Sequence, residues 1–147
     1  MAVFDLAFVN FSQELDLGLS DAAEQARIRM LTDYLRELLA ADPRYVVVDS
    51  APVADELASV KSVYSCNLCE DKLARKVGAD LSVTGTVTKI SVLIQTIVLR
   101  GRDATTGAVL WQYHTDIRNN SDEAWRRGLK WLIDHRVLAG EAQTLPR

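Results

Sequence analysis

Cys66 and Cys69, spaced as C-N-L-C, are the residues best placed by type and interval to do chemistry, and they are the chain's two cysteines. Two thiols this close in sequence can close a disulfide, and a helix N-terminus lowers a thiol's pKa, which opens redox chemistry. The surroundings favour a bridge. The motif does not directly follow a strand and lacks a flanking Trp or Pro, and Glu70 stands where a CxxCH haem attachment needs His. Zinc would require two further ligands, and the two histidines, His114 and His135, fall at no recognised spacing. A structural disulfide is therefore the first expectation, with inert reduced thiols, a redox couple and a metal site as alternatives in that order. No cofactor and no metal are expected.

His114 and Asp116 share one face of a β-patterned run, so an acid–base pair can be imagined there. No motif places a Ser or Cys nucleophile beside them, and ordinary surface residues are the simpler reading. Gly78, Gly85, Gly101 and Gly107 do not compose a phosphate loop. Trp125 and Trp131 read as core aromatics, with either, and Trp125 in particular, also a candidate anchor for a partner. Arg118, Asn120 and Asp122 sit where the last strand enters the last helix; capping and local ion pairing suffice for them, and Arg118 and Asp122 are further partner-binding candidates. No catalytic set emerges, and the expectation is a protein that is not an enzyme.

The elements that must position these residues are clearest from Gly78 to Arg118. Leu81, Val83, Gly85 and Val87 alternate with Ser82, Thr84, Thr86 and Thr88, the period of a half-buried strand. Val92 to Leu99 is apolar on both parities and reads as the sheet's centre. Val109 to Ile117 alternates again. Asp103-Ala-Thr-Thr-Gly107 between the last two runs is a hairpin turn, Asp accepting from turn amides and Gly supplying positive φ.

Before this meander, Val3 to Val9 reads as one short buried strand. Ser20 or Asp21 caps a helix carrying Ile28, Leu31, Leu35 and Leu38, which Asp42-Pro43 stops. Tyr45 to Val48 suggests another strand, Val53 to Leu57 a short helix, and Cys66 to Val77 a helix ending on Gly78. A last helix follows Asn120, with Trp125, Leu129 and Leu132 on one side. The fold class is thus α/β (α+β): a mixed sheet of about five strands with a C-terminal antiparallel three-strand meander, and helices packed mainly on one face. One domain over residues 1–139 and a polar tail over 140–147 are expected.

With 147 residues, 48% of them hydrophobic and 25% charged, a single ordered domain with a real core is the ordinary outcome. No stretch reaches the roughly 20 apolar residues of a membrane-spanning helix. The net charge of −3 divides unevenly, 6 basic and 13 acidic residues over 1–73 against 11 and 7 over 74–147, or −7 and +4. Arg126, Arg127 and Lys130 cluster without any nucleic-acid motif, so a solvated helix face is expected and nucleic acid is not.

GADLSVTGTVTKIS, the LRGRDATTGAVL hairpin and the preceding strand–helix–strand resemble the α/β module of the TolB N-terminal domain and related envelope proteins, including curli-secretion and penicillin-binding-protein-activator lipoproteins. CNLC, LARKVGADLSVTGTVTKIS and DIRNNSDEAWRRGL together look like an uncharacterised family of bacterial proteins predicted to be secreted. The resemblance implies a periplasmic or secreted address, and Met1-Ala2 running into Val3-Phe4 fits a chain whose signal peptide has been removed. It also implies recognition or assembly in place of catalysis, with another envelope protein or a second copy as partner. The sheet pattern supplies a surface: if helices cover the face of Val83, Val87, Trp111 and Ile117, the other presents Thr84, Thr86, Ile94, Thr96, Val98, Leu110 and Gln112. Residues 53–65, a second copy or another protein are the three covers it could have.

Overall fold

The computed structural model describes residues 1–11, 22–60, 63, 66, 68–91 and 93–139. Its centre is a five-stranded mixed sheet. Strands β1 (Ala2–Val3) and β2 (Ala7–Asn10) both run parallel to β3 (Leu81–Lys89), which pairs antiparallel with β4 (Gln95–Asp103), and β4 pairs antiparallel with β5 (Val109–Ile117). The strand expected over Val3 to Val9 is therefore interrupted. Ala2 pairs with Ser82 whereas Ala7 pairs with Thr86, so β1–β2 holds one residue more than β3 does over the same length, a bulge. The extra residue switches parity: Val3 before the break and Leu6 and Phe8 after it all join the same core. The Leu6 amide finds its acceptor in the Thr32 hydroxyl at 3.1 Å.

Among the described residues four α-helices flank the sheet: α1 (Ala22–Ala40), α2 (Ala54–Ala58, entered through a 3₁₀ turn at Ala51–Val53), α3 (Cys69–Lys76) and α4 (Asp122–Leu132, continued by a π turn at Ile133–Val137). The apolar spacing of α1 puts Ile28, Leu31, Leu35 and Leu39 in the principal core, where they meet Val83, Val87, Ile97 and Leu99 of the sheet and Trp125, Leu129 and Leu132 of α4. Residues 20 and 21, proposed as the α1 cap, lie outside the described residues. The α4 cap is Ser121, whose hydroxyl accepts from the Ala124 amide at 3.2 Å, while the Asn120 side chain accepts instead from Arg27.

Two expectations are corrected. Tyr45 to Val48 forms no strand: its sheet-like bonds are those of Val46 and Val48 to Met1, and Val46 points into solvent. The central strand begins at Gln95 and runs on to Asp103, because Ile90, Ser91 and Ile94 are spent closing the turn from β3. Asp103 and Gly107 behave as a turn should: the Asp103 carboxylate accepts from the Thr105 and Thr106 amides, and Gly107 takes φ +78°. Gly78 ends α3 at φ +80°.

Candidate functional site

The strand register sorts side chains between the two faces of the sheet. Val83, Val87, Ile97 and Ile117 meet α1 and α4; Ser82, Thr84, Thr86, Thr96, Val98, Gln112, His114 and Asp116 lie opposite. That second face is divided. Over β1 and β3 it carries its own small core, in which Ala2 and Phe4 pack with Val53, Val63, Leu73, Ala74, Ala79 and Ala104. Beside it, α3 lowers two acids onto the sheet. The Ser82 hydroxyl donates to Asp71 at 2.8 Å, and Glu70 faces the guanidinium groups of Arg100 at 3.4 Å and Arg102 at 3.9 Å. Burial holds the Glu70 carboxyl above the usual carboxylate range; Arg100 and Arg102 pull it down, and Asp71 pushes it further up.

Over β5 and the Thr96–Val98 part of β4 no helix of the described residues covers the second face, whereas Arg100 and Arg102 at the other end of β4 lie under Glu70 of α3. Thr96 and Val98 are half-buried, Gln112, His114 and Asp116 are exposed, and the Thr96 hydroxyl donates to Asp116 at 2.8 Å. This strip adjoins β5, a nine-residue strand at the end of the sheet order. Between the end of β5 and α4 runs a groove of about 430 Å³, lined by Ile117, Arg118, Ala124, Arg127, Gly128 and Trp131. Asp116 belongs both to this strip and to the groove lining, so the two meet around the β5 edge, an arrangement suited to contact with another macromolecule more than to enclosing a small molecule.

Several sequence-based candidates fall elsewhere. Thr84 and Thr86 are buried beneath the second-face cover, so the open area is half of what alternation alone implied. Trp125 is 0% exposed in the principal core and cannot anchor a partner. Ile94 belongs to the β3–β4 turn and not to the sheet face. The register shifts between Gly101 and Arg102, which leaves Leu110 without a partner residue on β4 and packs it against the principal core. Thr96, Val98, Gln112, Arg118 and Asp122 remain accessible, Asp122 through an ion pair with Arg27 at 2.8 Å. The Cα atoms of Cys66 and Cys69 stand 5.5 Å apart with the sulfurs at disulfide distance. Among the described residues no cluster of three or more His, Cys, Asp or Glu could hold a metal ion.

Two charged groups escaped the sequence reading. Glu70 and Asp71 stand in the first turn of a short helix, an ordinary place for acids, and nothing local shows that α3 lies face down on the sheet. Lys89 did leave a signal: its odd parity on β3, shared with Val83 and Val87, puts it on the core side, where it meets Glu24 at 2.8 Å.

A family model described as a protein of unknown function matches residues 1–137. A search of the curated proteins returns no match. Among solved structures, the chain is similar to the LpoB C-terminal domain from Salmonella enterica, at 16% identity and TM-score 0.57, over 80% of this chain and 81% of that one. It is also similar to the lipoprotein GNA1162 from Neisseria meningitidis, at 20% identity and TM-score 0.50 over 99% of both chains. The PelC dodecamer from Paraburkholderia phytofirmans aligns at 14% identity and TM-score 0.52, over 90% and 82%. At these identities the likeness is one of fold.

Proposed function

This chain belongs to the DUF3280 family of proteins of unknown function, and we propose that it is a non-catalytic accessory module of the bacterial cell envelope, periplasmic or secreted, that binds another envelope protein or a second copy of itself. The observation that carries this reading is the strip of Thr96, Val98, Gln112, His114 and Asp116 on the second sheet face, over which no helix of the described residues lies, beside the β5 edge and the groove lined by Trp131. An edge strand offers a partner a row of main-chain hydrogen-bonding groups, and the side chains beside it set which partner fits. The fold neighbours lend support, since one is titled a lipoprotein and another a dodecamer.

The test is a photo-crosslinking amino acid placed at Gln112, compared with one at Arg29, which is exposed on α1. The proposal expects a discrete adduct, with an envelope protein or a second copy, from position 112 and none from position 29. Equal labelling from both would sink it. Gln112→Lys with His114→Lys should shift stability by no more than about 0.5 kcal/mol, because both sites are exposed. With the crosslinker at position 112, His114→Lys alone should reduce the adduct about tenfold, since a lysine on a strand edge opposes pairing.

In the same reading Cys66 and Cys69 form a bridge that braces the start of α3, where Leu68 holds φ +77° and Glu70 and Asp71 are set onto the sheet. A loop this short limits the gain to about 2 kcal/mol. Reduction, or Cys66→Ser with Cys69→Ser, should therefore lower Tm by about 4–8 °C without changing the Gln112 adduct. An unchanged Tm under reducing conditions would remove the brace and return the pair to redox chemistry.

A further inference from the structure

At the end of the sheet where β2 finishes and β3 turns into β4, Phe11, Ile90, Leu93 and Ile94 are 71%, 50%, 68% and 38% exposed. They are four of the eight large hydrophobic side chains exposed among the described residues, gathered at one extremity. The Phe11 amide donates to the Lys89 carbonyl at 2.8 Å, which places Phe11 beside the turn. Two further properties define what such a tip can touch. Its charge is nil from Ile90 to Ile94, and the ammonium of the adjoining Lys89 is turned inward onto Glu24. Its described amides are all satisfied within the turn: the Ile90 and Ser91 amides both donate to the Ile94 carbonyl, the Ile94 amide to the Ser91 carbonyl, and the Leu93 amide to the Ser91 hydroxyl.

We infer that this tip inserts shallowly into a lipid surface. Entry into hydrocarbon is prohibitive for unsatisfied amides, and this turn brings none among its described residues. A partner that binds by main-chain pairing needs free amides, and the described amides of this tip are all taken. Aliphatic side chains with one aromatic neighbour need no shape complement in lipid, only depth. The contact is with the membrane surface, as no helix among the described residues is long and apolar enough to cross. It is independent of the β5 surface, so either can fail alone.

The experiment is flotation of the full chain with neutral phosphatidylcholine vesicles at low and at high salt. Wild type should float under both conditions, because apolar insertion is not screened by salt. Leu93→Asp and Ile90→Asp should each lower the bound fraction about tenfold or more, with Tm and circular dichroism unchanged since both side chains are exposed. Leu93→Phe should retain binding, which separates loss of apolarity from any change at that position. Failure of the wild type to float overturns the inference, as does binding confined to anionic vesicles and abolished by salt. So does a wild-type dimer that Leu93→Asp converts to a monomer, which would make a second copy the occupant.

Discussion

Replacing Lys89 with Met alone should destabilise the protein by about 3–5 kcal/mol. Lys89 closes β3 on the helix-facing side of the sheet, its side chain 2% exposed, and its ammonium lies 2.8 Å from Glu24 in the first turn of α1, itself 7% exposed. Taking two opposite charges out of water costs several kcal/mol each, and their attraction in a poorly screened interior offsets that cost only while both are present. Met preserves the length and apolar volume of the Lys stem, so the variant isolates the charge. Glu24 is then left buried without this cation, and α1 is attached to the sheet through that turn. The double variant Glu24→Leu/Lys89→Met should recover most of the loss or exceed wild type by about 1–4 kcal/mol, since a well-packed apolar pair carries no desolvation cost. Urea unfolding of the two singles and the double gives the coupling directly. A Lys89→Met variant within about 0.5 kcal/mol of wild type would show that the pair is hydrated and outside the core.

The ease of reading β3 and the difficulty of reading its cover have one physical origin. Alternation along Leu81–Lys89, the Asp103–Gly107 turn and the helical spacing of Ile28, Leu31 and Leu35 are local signals, and each produced the element it implied. The same alternation made Thr84 and Thr86 look solvent-facing. A Thr can be buried once distant residues supply packing and hydrogen-bond partners, and here Val53, Val63, Leu73, Ala74 and Ala79 form that cover, whose descent onto β1 and β3 no local pattern encodes. The apolar run AVFDLAFVN gave no sign of its bulge, because Asp5 at the break could equally have been a polar residue on an unbroken strand. Tyr45–Val48 has strand-like residues but no long neighbouring strand to pair with. At the candidate site, Gln112, Thr96 and Val98 were legible because the meander's register follows from its turns; Leu110 was not, because a one-residue shift at Gly101/Arg102 moves it out of phase.

Trp125→Ala should cost about 3–5 kcal/mol, the range for removing a buried aromatic side chain. That is a large share of the roughly 5–15 kcal/mol that holds a domain of this kind together. Trp125 is 0% exposed and joins three elements: it projects from α4, stacks on Phe8 of β2 with ring centroids 6.1 Å apart, and lies 5.8 Å beneath the Arg27 guanidinium of α1. Deleting the ring opens a cavity between strand, helix and helix, which a rigid sheet cannot collapse to fill. Trp125→Phe should cost much less. The indole Nε1 is buried with no hydrogen-bond partner among the described residues, and Phe removes that stranded donor, whose burial carries a penalty of about 1–3 kcal/mol, against a smaller loss of volume. The ordering Ala well below Phe, and Phe close to wild type, is what urea unfolding should return. If Trp125 were instead a recognition residue, both variants would keep wild-type stability and lose the adduct formed at Gln112. That outcome would move the ring from the core to the surface and overturn the α4–sheet packing on which the exposed groove depends.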